Sequence, residues 1–69
     1  MNPNDLVELT EDLKLWGINL TITAGNKGRI LRIRAPEPPD FGPSLAAVTY
    51  FKFGLEVWTS LASLKPTTL

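Results

Sequence analysis

The sequence contains no cysteine and no histidine, and it has no long apolar run. Without cysteine there is no disulfide staple, no thiolate zinc site and no cysteine nucleophile. Without histidine the commonest general base and the other usual zinc ligand are missing. No stretch reaches the roughly 18 to 20 apolar residues that a membrane-spanning helix needs. Charge of one sign is also missing: seven basic side chains balance seven acidic ones, for a net charge of zero. A neutral chain has no global attraction to nucleic acid or to an anionic membrane. These absences argue against an enzyme, a metal site and any cofactor, and they turn attention to binding.

What remains is the composition of a small folded domain. The 69 residues are 43% hydrophobic and 20% charged, near globular averages and far from a disordered tail. At this length a single core is close to the lower limit of self-sufficiency. The acidic start, Met1 to Asp5, is unlike the basic leader of a signal peptide, so the expected compartment is the cytoplasm.

The first segment reads as an amphipathic helix over about 2–16. Asn2 supplies a cap and Pro3 suits the first helical position. Asp5, Glu8, Glu11 and Asp12 place negative charge where the helix dipole favours it. Leu6, Leu9, Leu13 and Trp16 recur at helical spacing, and Gly17 fits a left-handed C-terminal cap. The period then changes. Residues 19–24 alternate polar and apolar, Gly25 to Gly28 form a turn cluster, and residues 29–34 form a second apolar–basic alternation. Together 19–34 read as a β-hairpin in which Leu20, Ile22, Leu31 and Ile33 face inward.

Residues 35–43 are rich in proline and read as a stiff extended connector. From about 44 to 64 the pattern is helical and apolar on two sides. Ala47, Val48, Phe51, Leu55, Trp58 and Ala62 make one stripe; Ala46, Tyr50, Phe53, Val57, Leu61 and Leu64 make the other. A helix apolar on two faces must be covered on both. Either Gly54 breaks it into two short helices, or the surplus stripe of Tyr50, Phe53, Val57 and Leu61 is an oligomer interface, as in a homodimer. The expected fold class is therefore α+β, a single domain with a two-stranded hairpin packed on helices.

The carboxylates of the first segment read as a solvated helix face rather than a catalytic or metal-binding set. The sequence Gly25-Asn26-Lys27-Gly28 lacks the ending of a phosphate-binding loop and joins two strands. One local charge anomaly is left. Lys27, Arg29, Arg32 and Arg34 gather more than half of the basic residues into eight positions with no acid among them. Such a strand can simply protect an edge from aggregation. It can equally dock an acidic peptide by strand addition, with backbone bonds for affinity and arginines for charge selection. The residues expected to bind are Lys27, Arg29, Leu31, Arg32, Ile33 and Arg34. Nucleic acid is the first rival, disfavoured by neutrality and by the lack of an aromatic alternating with the arginines on the strand. A structural subunit packing through the aromatic segment 50–57 is the second.

Two segments carry a resemblance: Leu13 to Leu20 (LKLWGINL) and Gly28 to Pro36 (GRILRIRAP). They are similar to the N-terminal β-hairpin docking domains of nonribosomal peptide synthetase and hybrid polyketide synthase subunits, of the tubulysin type, and to stand-alone relatives in mobile elements. The resemblance implies an α-β-β-α-α fold. It also implies a receiving strand at Leu31 to Arg34 for the acidic C-terminal peptide of an upstream subunit. Arg32 and Arg34 would be salt-bridge partners, with Arg29 and Lys27 at the margin.

Overall fold

A computed structural model describes residues 1–36 and 42–69. Among them there is no α-helix, and the expected α+β and α-β-β-α-α architectures are replaced by seven strands. The strands are β1 (Leu6–Leu9), β2 (Leu13–Leu15), β3 (Leu20–Ile22), β4 (Lys27–Arg34), β5 (Leu45–Tyr50), β6 (Leu55–Ser60) and β7 (Leu64–Pro66). A single 3-10 turn, Leu61–Ser63, connects β6 to β7. Five strands form an antiparallel sheet in the order β6-β5-β4-β1-β7, and β2 pairs with β3 in a separate hairpin.

The helix expected over 2–16 fails at its first turn. Asp5 does accept the Asn2 N–H (2.8 Å) as a capping residue would, but Asn4 lies at φ 74°. A left-handed residue there closes a turn and directs the chain into β1. Val7 and Leu9 then face the core two residues apart, as a strand requires. Leu13 and Leu15 do the same on β2, packed at the core's edge. The expected left-handed Gly17 is also displaced: Asn19 takes that conformation, at φ 52°. Residues 16–19 thus form the four-residue loop of the β2–β3 hairpin, closed by the Leu15–Leu20 pair.

The hairpin expected over 19–34 has the right strands with the wrong partners. β3 pairs with β2, whereas β4 pairs with β1 on one side and β5 on the other. The ladder to β5 shifts register between Ile30 and Arg32. That bulge changes which residues face inward. Ile30 is fully buried and Ile33 packs against the core, while Leu31 is exposed.

The helix or helix pair expected over 44–64 is overturned in the same way. Aromatic and β-branched residues make up half of β5 and β6, and such residues fit a pleated sheet better than a helix. Gly54, at φ 65°, is the last residue of the four-residue β5–β6 loop, closed by Tyr50 and Leu55. The surplus stripe expected as an oligomer interface belongs to the core. Tyr50 and Val57 are buried, and Phe53 and Leu61 pack against them. Tyr50, Val57, Val7, Leu9, Ile22, Ile30, Ala46, Val48 and Leu64 form that one core cluster. Most of the connector expected over 35–43 lies outside the described residues.

Candidate functional site

The alternation of β4, β5 and β6 sorts their side chains onto two faces. Ile30, Val48 and Val57 point into the core. On the opposite face, in register, stand Arg29 beside Thr49 and Glu56, Arg32 beside Ala47 and Trp58, and Arg34 beside Leu45 and Ser60. Lys27 lies at the start of the same row. The bulge after Ile30 is what keeps Arg32 and Arg34 in line with Arg29 despite the intervening Leu31.

Three of these four cations already have partners. Lys27 Nζ donates to the carbonyl of Thr68 (2.6 Å), and Arg29 donates to the carbonyl of Asn4 (2.8 Å). Arg32 pairs with Glu56 across β5 (2.5 Å), and its guanidinium lies 5.6 Å from the centre of the Trp58 ring. Ala47 sits between Arg32 and Trp58 and is fully buried, although it faces away from the core cluster. Arg34 has no salt-bridge partner among the described residues. The strand β4 as a whole is not an open edge. β5 pairs with it from Gly28 to Arg34, and β1 from Lys27 to Arg29. Ile30 is bonded to Asn4 and Asp5. Along the expected receiving strand, Arg32–Arg34 are paired by β5 on one edge and by no described strand on the other, and Leu31 is the unpaired bulge residue.

A second feature joins this face at β6. The tip of the β2–β3 hairpin approaches β6 and encloses an open apolar groove of about 390 Å³, with Leu15 to Ile18 on one side and Leu55 to Trp58 on the other. Trp16 is 81% exposed and Trp58 43%. Each tryptophan carries a cation: Lys14 Nζ lies 4.3 Å from the Trp16 ring centre, as Arg32 lies over Trp58. Sequence periodicity put both tryptophans into core stripes. The legible signal was the run Glu56-Val57-Trp58-Thr59, in which strand alternation buries Val57 and Thr59 and turns Trp58 out.

The acidic residues of the first segment act as local ties. Glu8 pairs with Lys65 (3.3 Å), Glu11 accepts the Ser63 hydroxyl (2.5 Å), and Asp12 accepts the Ala24 N–H (2.8 Å). Among the described residues no three potential metal-ligating side chains come together, and no helix is long and apolar enough to cross a membrane. No protein-family model, curated protein or solved structure matches the chain.

Proposed function

We propose that the chain is a non-catalytic docking module of the cytoplasm that holds an acidic linear peptide of a partner subunit on the outer face of β4, β5 and β6. One observation carries this reading: cations outnumber acids on this face. Lys27, Arg29, Arg32 and Arg34 stand there against Glu56, which pairs with Arg32, and Glu8, which lies opposite Lys27 on β1 and pairs with Lys65. Trp58 adds what a charged row lacks. Tryptophan and arginine are the residues on which binding energy concentrates at protein interfaces. The acidic side chains of the peptide would pair with the arginines, and an apolar one would lie on Trp58. Such a contact is of about micromolar affinity and weakens with salt.

The test is titration calorimetry with the capped synthetic peptide Glu-Val-Glu-Leu-Glu-Val-Glu, against wild type and Arg32→Glu/Arg34→Glu. The reading expects binding that falls as salt rises and is lost in the double variant, with the circular dichroism of the fold retained. Equal affinity in the two proteins sinks it.

A single-stranded nucleic acid is the second reading, and Trp58 favours it. An aromatic ring beside Arg32 on a basic face is the platform on which a base stacks. Zero net charge weighs the other way, because phosphate-backbone binding draws on the whole field of the protein. Fluorescence anisotropy with a labelled oligothymidylate at low salt separates the two.

A further inference from the structure

The five-stranded sheet ends in two very different edges. β7 is three residues long and carries Lys65 and Pro66, and short length, lysine and proline are the devices that keep an edge strand from pairing with another chain. β6 has none of them. It is six residues long, Leu-Glu-Val-Trp-Thr-Ser, with no lysine, glycine or proline, and its one charge is matched by Arg32. Leu55 and Trp58 are exposed along it.

The ladder also fixes which backbone groups are available. Leu61 N–H donates to Ser44 O at 3.1 Å, just past the Leu45–Ser60 pair. Antiparallel alternation therefore turns the N–H and C=O groups of Leu55, Val57 and Thr59 toward β5. Those of Glu56 and Trp58 point outward, beside the groove under the hairpin tip, and no strand among the described residues pairs with them. Lys14 lies at Trp16, and Arg32 lies at Trp58 where it is paired with the groove residue Glu56, so the rim carries one net positive charge.

We infer that β6, rather than β4, is the receiving edge: an extended acidic peptide adds to it as a sixth strand. Its backbone bonds to Glu56 and Trp58. Its apolar side chains enter the groove between Trp16 and Trp58, and its carboxylates reach Lys14 and Arg32. This inference rests on the docking reading and gives it a location.

Amide hydrogen exchange, read by NMR with and without the peptide Glu-Val-Glu-Leu-Glu-Val-Glu, tests it. Free protein should exchange the Glu56 and Trp58 amides quickly, and saturating peptide should slow both by at least about tenfold. The variant Glu56→Pro removes the outward N–H while leaving every ladder bond to β5. It should weaken the peptide by about tenfold or more, whereas Glu56→Gln, which keeps the N–H, should not. If Glu56→Pro fails to fold, the wild-type exchange result decides. Peptide that shifts Arg29 and Arg34 resonances without protecting Glu56 and Trp58 overturns the edge inference and leaves docking on the basic face intact. No resonance shift at all overturns both. Protection that grows with protein concentration in the absence of peptide assigns the edge to a second copy of this chain and overturns the inference.

Discussion

The hydroxyls of Tyr50 on β5 and Thr59 on β6 meet at 2.7 Å inside the core, with both residues almost fully buried. Their other polar contact is weak: Thr59 Oγ1 reaches Val57 O at 3.4 Å. A buried hydroxyl needs a partner, because stranding one costs about 1–3 kcal/mol. Tyr50→Phe should therefore destabilise the fold by about that amount, measured by urea denaturation. Adding Thr59→Val removes the stranded partner and should recover part of the loss. A single variant as stable as wild type would show that the bond contributes nothing.

The same burial sets a pH dependence. Desolvation raises the Tyr50 pKa above the usual tyrosine value, and the Thr59 hydrogen bond offsets this in part. The unfolded chain then loses its tyrosine proton first, so above about pH 10 it binds fewer protons than the folded state. Stability is unaffected by this group below that pH and falls as pH rises toward the folded pKa. Because the chain has one tyrosine, its near-ultraviolet titration reads the group directly. The midpoint should be higher in native protein than in urea, and Tyr50→Phe should flatten the alkaline decline in stability.

The sequence made strands at 20–22 and 29–34 visible because alternation there had no competing period, although β4 begins at Lys27, inside the expected turn. At the first segment two periods overlap. Leu6, Leu9, Leu13 and Trp16 satisfy a helix, while Val7–Leu9 and Leu13–Leu15 satisfy two strands separated by Thr10 to Asp12. Over 45–60 the two helical stripes are redistributed by strands folded back at Gly54: Val48 of the first joins Tyr50 and Val57 of the second in the core, while Ala47 and Trp58 turn to the other face. Strand partners are set by long-range packing, so nothing local said that β4 would lie between β1 and β5. The basic row was legible residue by residue. Its neighbours Trp58 and Glu56 were not, because the registers of β4 and β6 on β5 bring them there.

Gly28 on β4 leaves no room for a side chain against β5. A Cβ built on it would lie 2.5 Å from the backbone oxygen of Thr49 and 2.7 Å from Val48 Cγ1. The Val48 methyl can rotate away, but the carbonyl is held in the ladder. Gly28→Ala should thus force the two central strands apart and cost about 1–3 kcal/mol, as overpacking of a tight core does. Thermal unfolding followed by circular dichroism would register the loss as a lower midpoint. An unchanged midpoint would mean that the strands separate without penalty.

Arg32 separates stability from binding. Its ion pair with Glu56 is exposed, with side-chain accessibilities of 62% and 40%, and exposed pairs contribute about 0–1 kcal/mol. The stack on Trp58 adds about 0.5–1 kcal/mol at such a site. Arg32→Gln should then lower stability by no more than about 1–2 kcal/mol. On the docking reading the same change removes a cation from the rim of the groove and frees Glu56 to repel an acidic ligand, so affinity for the acidic peptide should fall about tenfold. Lys52→Gln, on the exposed β5–β6 loop, alters net charge equally and lies outside the row, and it should leave affinity within about twofold. Equal losses from the two variants would mean that overall charge, and not the Arg32–Trp58 face, recruits the peptide.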